Sequence, residues 1–136
     1  MSFLGKNYTF VKQENFDGFL KSVGVSDDKI ANASNFTPDQ KLVKNGDTYT
    51  YITAIPEGTK ERKFQSGVEF DDVIGVEKVP IKSTYVVDGN TVTQTIYSNS
   101  EPGKAYFKRE YNGDELVITV TSDKWDGVAK RFYKAQ

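Results

Sequence analysis

The chain has neither cysteine nor histidine among its 136 residues. Without cysteine there is no disulfide framework and no thiolate nucleophile. Without histidine the commonest general base, the Ser-His and Cys-His pairings and every imidazole zinc site are excluded. Charge of one sign is lacking too: 18 basic against 19 acidic residues leave a formal net charge of −1, short of the cationic excess that phosphate backbones or anionic bilayers select. Nucleic acid is therefore not an expected partner. No run approaches the ~20 apolar residues of a membrane-spanning helix, and the opening MSFLGKNYTF has no apolar core of a secretory signal. These absences lead us to expect a soluble cytoplasmic protein, a single domain over residues 1–136, long enough to bury its own core.

What the chain does contain is alternation. From about residue 39 onward, short runs rich in Val, Ile, Thr, Tyr and Phe are separated by turn chemistry, with NGD at 45–47, DGN at 88–90 and NGD at 112–114. Asn-Gly and Asp-Gly pairs are strong hairpin signals because these residues tolerate the positive φ of tight primed turns. Strands are expected near 6–14, 39–44, 48–55, 59–65, 68–74, 78–87, 91–98, 104–112, 115–122 and 127–134. One region differs: Phe16, Phe19, Leu20 and Val23 recur at helical spacing. Asn15 is the expected N-cap and Gly24 the stop; a second helix opens at Ser26, with Asp27 and Asp28 in its first turn, and Thr37-Pro38 follows its end. The expected fold is all-β: a ten-stranded antiparallel up-and-down barrel, closed to remove its edges and capped by a helix-turn-helix lid at about 15–36. A barrel of that width is expected to keep an interior cavity.

Its lining can be read by alternation. In AYFKREYNGDELVITV, the set Tyr106, Lys108 and Glu110 faces water, which turns Phe107, Arg109 and Tyr111 inward; Leu116, Ile118 and Val120 form another apolar face. The final stretch VAKRFYKA reads on either face. Placing Val128, Lys130, Phe132 and Lys134 inside buries two ammonium groups, whereas Ala129, Arg131 and Tyr133 bury one guanidinium beside a phenol, at lower cost. Two arginines then point into one interior and require an anion. Arginine suits a carboxylate, which its planar fork can hold bidentately. Either buried Asp or Glu of the protein supplies that anion, or a ligand does.

These residues also match a family. KNYTFVKQENFDGFLKSV, FQSGVEFDD at 64–72, and Arg109 followed by Arg131-x-Tyr133 resemble, in order and spacing, the intracellular lipid-binding proteins, the fatty-acid-binding protein family, and above all its invertebrate members. The resemblance implies a carrier with one long-chain fatty acid inside the barrel, its carboxylate held by Arg131 and Tyr133 and reached by Arg109 directly or through water. It further implies that Phe16, Leu20, Val25, Ala33, Pro38, Phe107, Ile118 and Val120 line the tail or the portal. Similar proteins for neutral retinol-like ligands tend to carry glutamine where these arginines stand, so an anionic ligand is expected, a retinoid acid being the alternative to a fatty acid. Two departures stand out. The stretch between Arg109 and Arg131 is about two residues longer than in vertebrate muscle-type members, and Glu57 takes a loop position where many members place a portal aromatic.

Other classes fare worse. A small barrel enzyme using Tyr133 as acid would lack a paired general base, so no enzyme is expected, and no cofactor. The carboxylates of EFDD alternate beside a turn and are expected to be solvated rather than to bind metal. Phe16, Phe19, Leu20 and Val23 are expected to pack the lid on the barrel mouth, and Trp125 to sit at a turn tip. Lys21 and Lys29 would allow transient membrane contact through the lid, diluted by Asp27 and Asp28. The protein is expected to be a monomer.

Overall fold

The computed structural model describes residues 3–55, 58–74, 79–98 and 103–136. Strand β1 (Tyr8–Glu14) leads into helices α1 (Phe16–Ser22) and α2 (Asp27–Asn35). Nine strands follow: β2 (Gln40–Asn45), β3 (Thr48–Ile55), β4 (Gly58–Phe64), β5 (Phe70–Ile74), β6 (Val79–Asp88), β7 (Thr91–Tyr97), β8 (Lys104–Asn112), β9 (Glu115–Ser122) and β10 (Trp125–Ala135). All ten form one antiparallel sheet in the order β4-β3-β2-β1-β10-β9-β8-β7-β6-β5. The first strand therefore zips to the last, from Tyr8 opposite Ala135 to Glu14 opposite Lys130, with a bulge between Phe10 and Lys12. The result is a nearly closed barrel capped by two helices.

The remaining seam lies between β4 and β5, which share no ladder among the described residues. Arg62 of β4 spans it: its Nε sits 2.5 Å from Asp72 Oδ2 and its Nη2 donates to the Val73 carbonyl at 3.3 Å. One half-buried ion pair thus stands where backbone bonds would otherwise close the wall.

The hairpin signals point to the right places with a one-residue shift. Asn45 faces Thr48, Asp88 faces Thr91 and Asn112 faces Glu115, so the central pairs are Gly46-Asp47, Gly89-Asn90 and Gly113-Asp114. Their glycines take φ of 65°, 60° and 63°. Glycine at the first central position is the pattern that fits a two-residue loop to the right-handed strand twist.

Alternation sets the interior as expected. On β8, Arg109 and Tyr111 are buried while Lys108 and Glu110 are exposed; on β10, Ala129, Arg131 and Tyr133 are buried while Val128, Lys130 and Lys134 are exposed. Phe132 lies on the outer face, covered by Lys12, whose Nζ stands 4.9 Å from the ring centroid. Aromatics fill one side of the core: Phe70, Tyr85, Phe64 and Tyr49 stack in series at centroid spacings of 6.0, 4.3 and 5.4 Å. At the far end of β8, Phe3 stacks on Tyr111 at 4.2 Å, and Tyr8 meets that ring edge-on.

Asn15 and Ser26 stand at the expected N-cap positions of the two helices, but their side chains are used differently. Asn15 adopts the left-handed conformation, φ 57°, and makes no side-chain cap; its amide instead donates to the Val128 carbonyl at 3.2 Å, tying the start of α1 to β10. Ser26 likewise makes no side-chain cap for α2. A side-chain bond from Ser26 instead holds the Asp28 carboxyl below its ordinary value. Trp125 is not at a turn tip: it opens β10 and packs under α1, 6.2 Å from the Phe19 ring. The local run SDKWDG cannot reveal this, because the surface that covers the indole comes from a segment over a hundred residues earlier. Phe16, Phe19 and Leu20 anchor α1 in the core with Val23 against it. No residue of α2 is fully buried, so the second helix is held more lightly than the first.

Candidate functional site

The register places the two inward arginines at one height. Arg109 on β8 and Arg131 on β10 both pair with Ile118 on the intervening β9, so their Cα atoms stand two strand spacings apart, about 10 Å. Tyr133 and Tyr111 lie one step deeper, both opposite Leu116. The three residues singled out in the sequence therefore converge on one side of one interior. Among the described residues neither arginine has a carboxylate partner, which disposes of the reading in which buried Asp or Glu of the described chain neutralises them.

What surrounds Arg109 is neutral. Its Nε donates to the Tyr51 hydroxyl at 3.0 Å and its Nη2 to Gln94 Oε1 at 2.9 Å. Gln94 in turn donates from Nε2 to Ser83 Oγ at 3.1 Å. The guanidinium carbon lies 4.9 Å from the Tyr51 ring and 5.5 Å from Tyr85, where the quadrupoles of the ring faces favour a cation. Nη1 is buried with no partner. Burial pulls the proton affinity of this group down, but Tyr51, Tyr85 and Tyr111 around it outweigh that, and the net shift is upward. Arg109 is a fixed interior cation.

Arg131 is held differently. Its Nη2 donates to the Phe36 carbonyl at 2.9 Å and to that of Ser34 at 3.4 Å, two carbonyls at the end of α2, where the helix dipole is negative. Its guanidinium carbon stands 4.3 Å from the Phe16 ring and 5.3 Å from Phe10. One side chain of the barrel wall thereby touches both lid helices. Nε is buried and unpartnered, and burial, opposed by Tyr133, pushes the group's pKa below its ordinary value. The Tyr133 phenol is pushed up by burial, against the pull of Arg131 and of a bond from Gln40.

The apolar candidates spread over lid and wall. Phe16, Leu20, Ile118 and Val120 are buried in the core cluster, and Val25, Ala33 and Phe107 pack against it; Pro38 is half-buried. Phe107 meets Phe19 edge-on at 5.7 Å, joining the barrel wall to α1. Glu57 lies outside the described residues. An outer groove of about 580 Å³ runs between Asp17, Gly18 and Lys21 of α1 and Ile30, Ala31 and Ser34 of α2; it reaches none of Arg109, Arg131 and Tyr133.

Sequence reasoning passed over Tyr51 and Gln94, which bond Arg109, Ser83, which bonds Gln94, and Gln40, which bonds Tyr133. A usable signal was present. Gln94 stands between Val92 and Ile96 on the inward set of β7, and Ser83 between Ile81 and Tyr85 on that of β6. A polar residue interrupting an apolar face is buried only where something answers it.

The same architecture recurs in known proteins. Residues 5–132 match the lipocalin / cytosolic fatty-acid binding protein family. Fatty acid-binding protein 1 of Manduca sexta is 57% identical over 135 residues, 99% of this chain and 100% of that one. The solved structure of the fatty-acid-binding protein isolated from Manduca sexta aligns with a TM-score of 0.90 at 55% identity, covering 98% of this chain and 100% of that chain. A Schistosoma mansoni fatty acid binding protein in complex with arachidonic acid aligns with a TM-score of 0.86 at 28% identity, over 99% of this chain and 96% of that one. With its strand order, its two-helix cap and this match along nearly its whole length, the chain belongs to the lipocalin / cytosolic fatty-acid binding protein family.

Proposed function

We propose that this protein is a monomeric cytoplasmic carrier that takes one long-chain fatty acid into the barrel, with the carboxylate between Arg131 and Tyr133 and with Arg109 reaching it directly or through water. The observation that carries the reading is the pair of buried guanidinium groups, level across β9, each with an unpartnered nitrogen and with no protein carboxylate among the described residues. A buried cation without a counter-charge is costly, and a carboxylate brought in by a ligand removes that cost. The names of the Manduca relatives and the arachidonic acid in the Schistosoma complex support the same ligand class.

The tail supplies most of the affinity. Burying about 15 methylenes at ~0.8 kcal/mol each gives roughly 12 kcal/mol of gross transfer. Ordering the chain and immobilising the ligand offset much of it. The arginines then select the head group. Arg131 Nη2 also donates to Phe36 and Ser34 at the end of α2, which ties the lightly held second helix to the barrel, and in this reading the ligand enters by opening of the helix pair or the adjacent turns. Native mass spectrometry of the purified protein tests the reading: one fatty acid per chain is expected, and a protein that neither carries nor takes up a fatty acid would refute it.

A further inference from the structure

We propose that Gln94 is the positioning residue for Arg109, and that it sets the preference of the barrel for an anionic over a neutral head group. The inference rests on the fatty-acid reading above and adds a residue to it. Gln94 and Ser83 project inward from neighbouring strands β7 and β6 and are 6% and 0% exposed. Their chemistry admits one arrangement. A guanidinium is a donor at every nitrogen, so the amide must turn its oxygen to Arg109, and its NH2 is left to donate to Ser83 Oγ. Ser83 thereby fixes the amide, the amide fixes Nη2, and Tyr51 fixes Nε from across the barrel. With two corners of the planar fork pinned, Nη1 has a single direction, and it is the nitrogen with no partner among the described residues.

The relay is also neutral by composition. The two residues that accept from Arg109, Tyr51 and Gln94, and Ser83 behind Gln94 are uncharged, so the full cation remains for a ligand. A glutamate in place of Gln94 would have nearly the same shape and would place a carboxylate against Nη2. That carboxylate would neutralise Arg109 internally and compete with the carboxylate of a ligand. The choice of amide over acid at position 94 is therefore a choice of head group.

The test is the ratio of oleyl alcohol to oleate dissociation constants for delipidated protein. Gln94→Glu is expected to weaken oleate by about a hundredfold while leaving oleyl alcohol within a few-fold, since one charge-assisted contact is exchanged for an internal one. Gln94→Leu frees the fork and is expected to lower the ratio about tenfold. Ser83→Ala, a small change safe for folding, should lower it in the same direction by a few-fold, because the amide loses its anchor. A purely structural role for Gln94 would weaken acid and alcohol alike, and that result, or an unchanged ratio in both Gln94→Glu and Ser83→Ala, overturns the inference while leaving the fatty-acid reading intact. If the unmodified protein itself binds oleate and oleyl alcohol equally, the reading and the inference fall together.

Discussion

Replacing Arg131 by glutamine separates stability from binding. In the free protein Arg131 is 9% exposed, its guanidinium lies between the Phe16 and Phe10 rings, and among the described residues it donates only to main-chain carbonyls. Removing a charge that no acid answers relieves desolvation, and the glutamine amide is long enough to keep one bond toward Phe36. The ligand-free variant is therefore expected to be no less stable than the unmodified protein, with a gain of up to about 1–2 kcal/mol in urea unfolding. Binding moves the other way. A hydrogen bond to a charged partner contributes roughly 1.5–3 kcal/mol, so oleate affinity should fall about tenfold to a hundredfold, whereas oleyl alcohol, which presents no charge, should be nearly unaffected. Urea denaturation of delipidated protein and displacement of a fluorescent lipid by the two ligands read these quantities separately. A loss of about 3 kcal/mol or more in the ligand-free variant would refute the reasoning, because it would mean that Arg131 answers a buried partner of the protein. Equal losses for acid and alcohol would refute it from the other side.

Two further outcomes follow from the core. Burial pushes the Tyr85 phenol up to about 12, so below pH ~10 the phenol is neutral in both states and its contribution is complete; between about 10 and 12 the unfolded chain ionises first, and stability falls by up to ~2.7 kcal/mol. Tyr111 and Tyr133 are raised in the same direction, so urea midpoints should drop steeply above pH ~10. Tyr85→Phe should flatten that slope, and an unchanged slope would remove Tyr85 from the account. A Cβ on Gly127 would fall 2.4 Å from Cε2 and Cζ2 of Trp125, so Gly127→Ala must displace the indole from beneath α1, at a cost of about 1–3 kcal/mol. Trp125 is the only tryptophan in the chain, so its emission should shift to the red; unaltered emission and an unaltered unfolding midpoint would contradict this packing.

How far the fold was legible follows from where the information lies. The hairpins are local: Gly46, Gly89 and Gly113 take the positive φ their turns need, and a period of two then orients every side chain of β8, β9 and β10. Arg109 could be assigned inward from that period, whereas Arg131 and Tyr133 also needed the lower cost of burying one guanidinium rather than two ammonium groups. The pairing of β1 with β10 joins the two ends of the barrel, and no local pattern encodes it; closure had to be argued from the cost of open edges. The lightly bridged seam at Arg62 and Asp72 was equally out of reach, since β4 and β5 read like any other adjacent strands. Asn15 stands at the N-cap position the sequence indicated, but its side chain does not make the cap bond: the same residue type tolerates the left-handed region, and a distant acceptor, the Val128 carbonyl, takes the amide. Gln94 and Ser83 were overlooked as ordinary polar residues because their meaning depends on Arg109, which reaches Gln94 from the neighbouring strand and Ser83 only through Gln94.

The central claim, that a ligand carboxylate answers the two guanidinium groups that have no carboxylate partner among the described residues, is tested most directly by following the carboxyl-carbon resonance of labelled oleate bound to the protein as pH is lowered. A carboxylate held by Arg131 and Tyr133 with Arg109 near should resist protonation, its titration displaced well below the ordinary carboxylate range of about 4. A bound oleate whose carboxyl titrates as it does in water would place the head group in solvent and contradict the account.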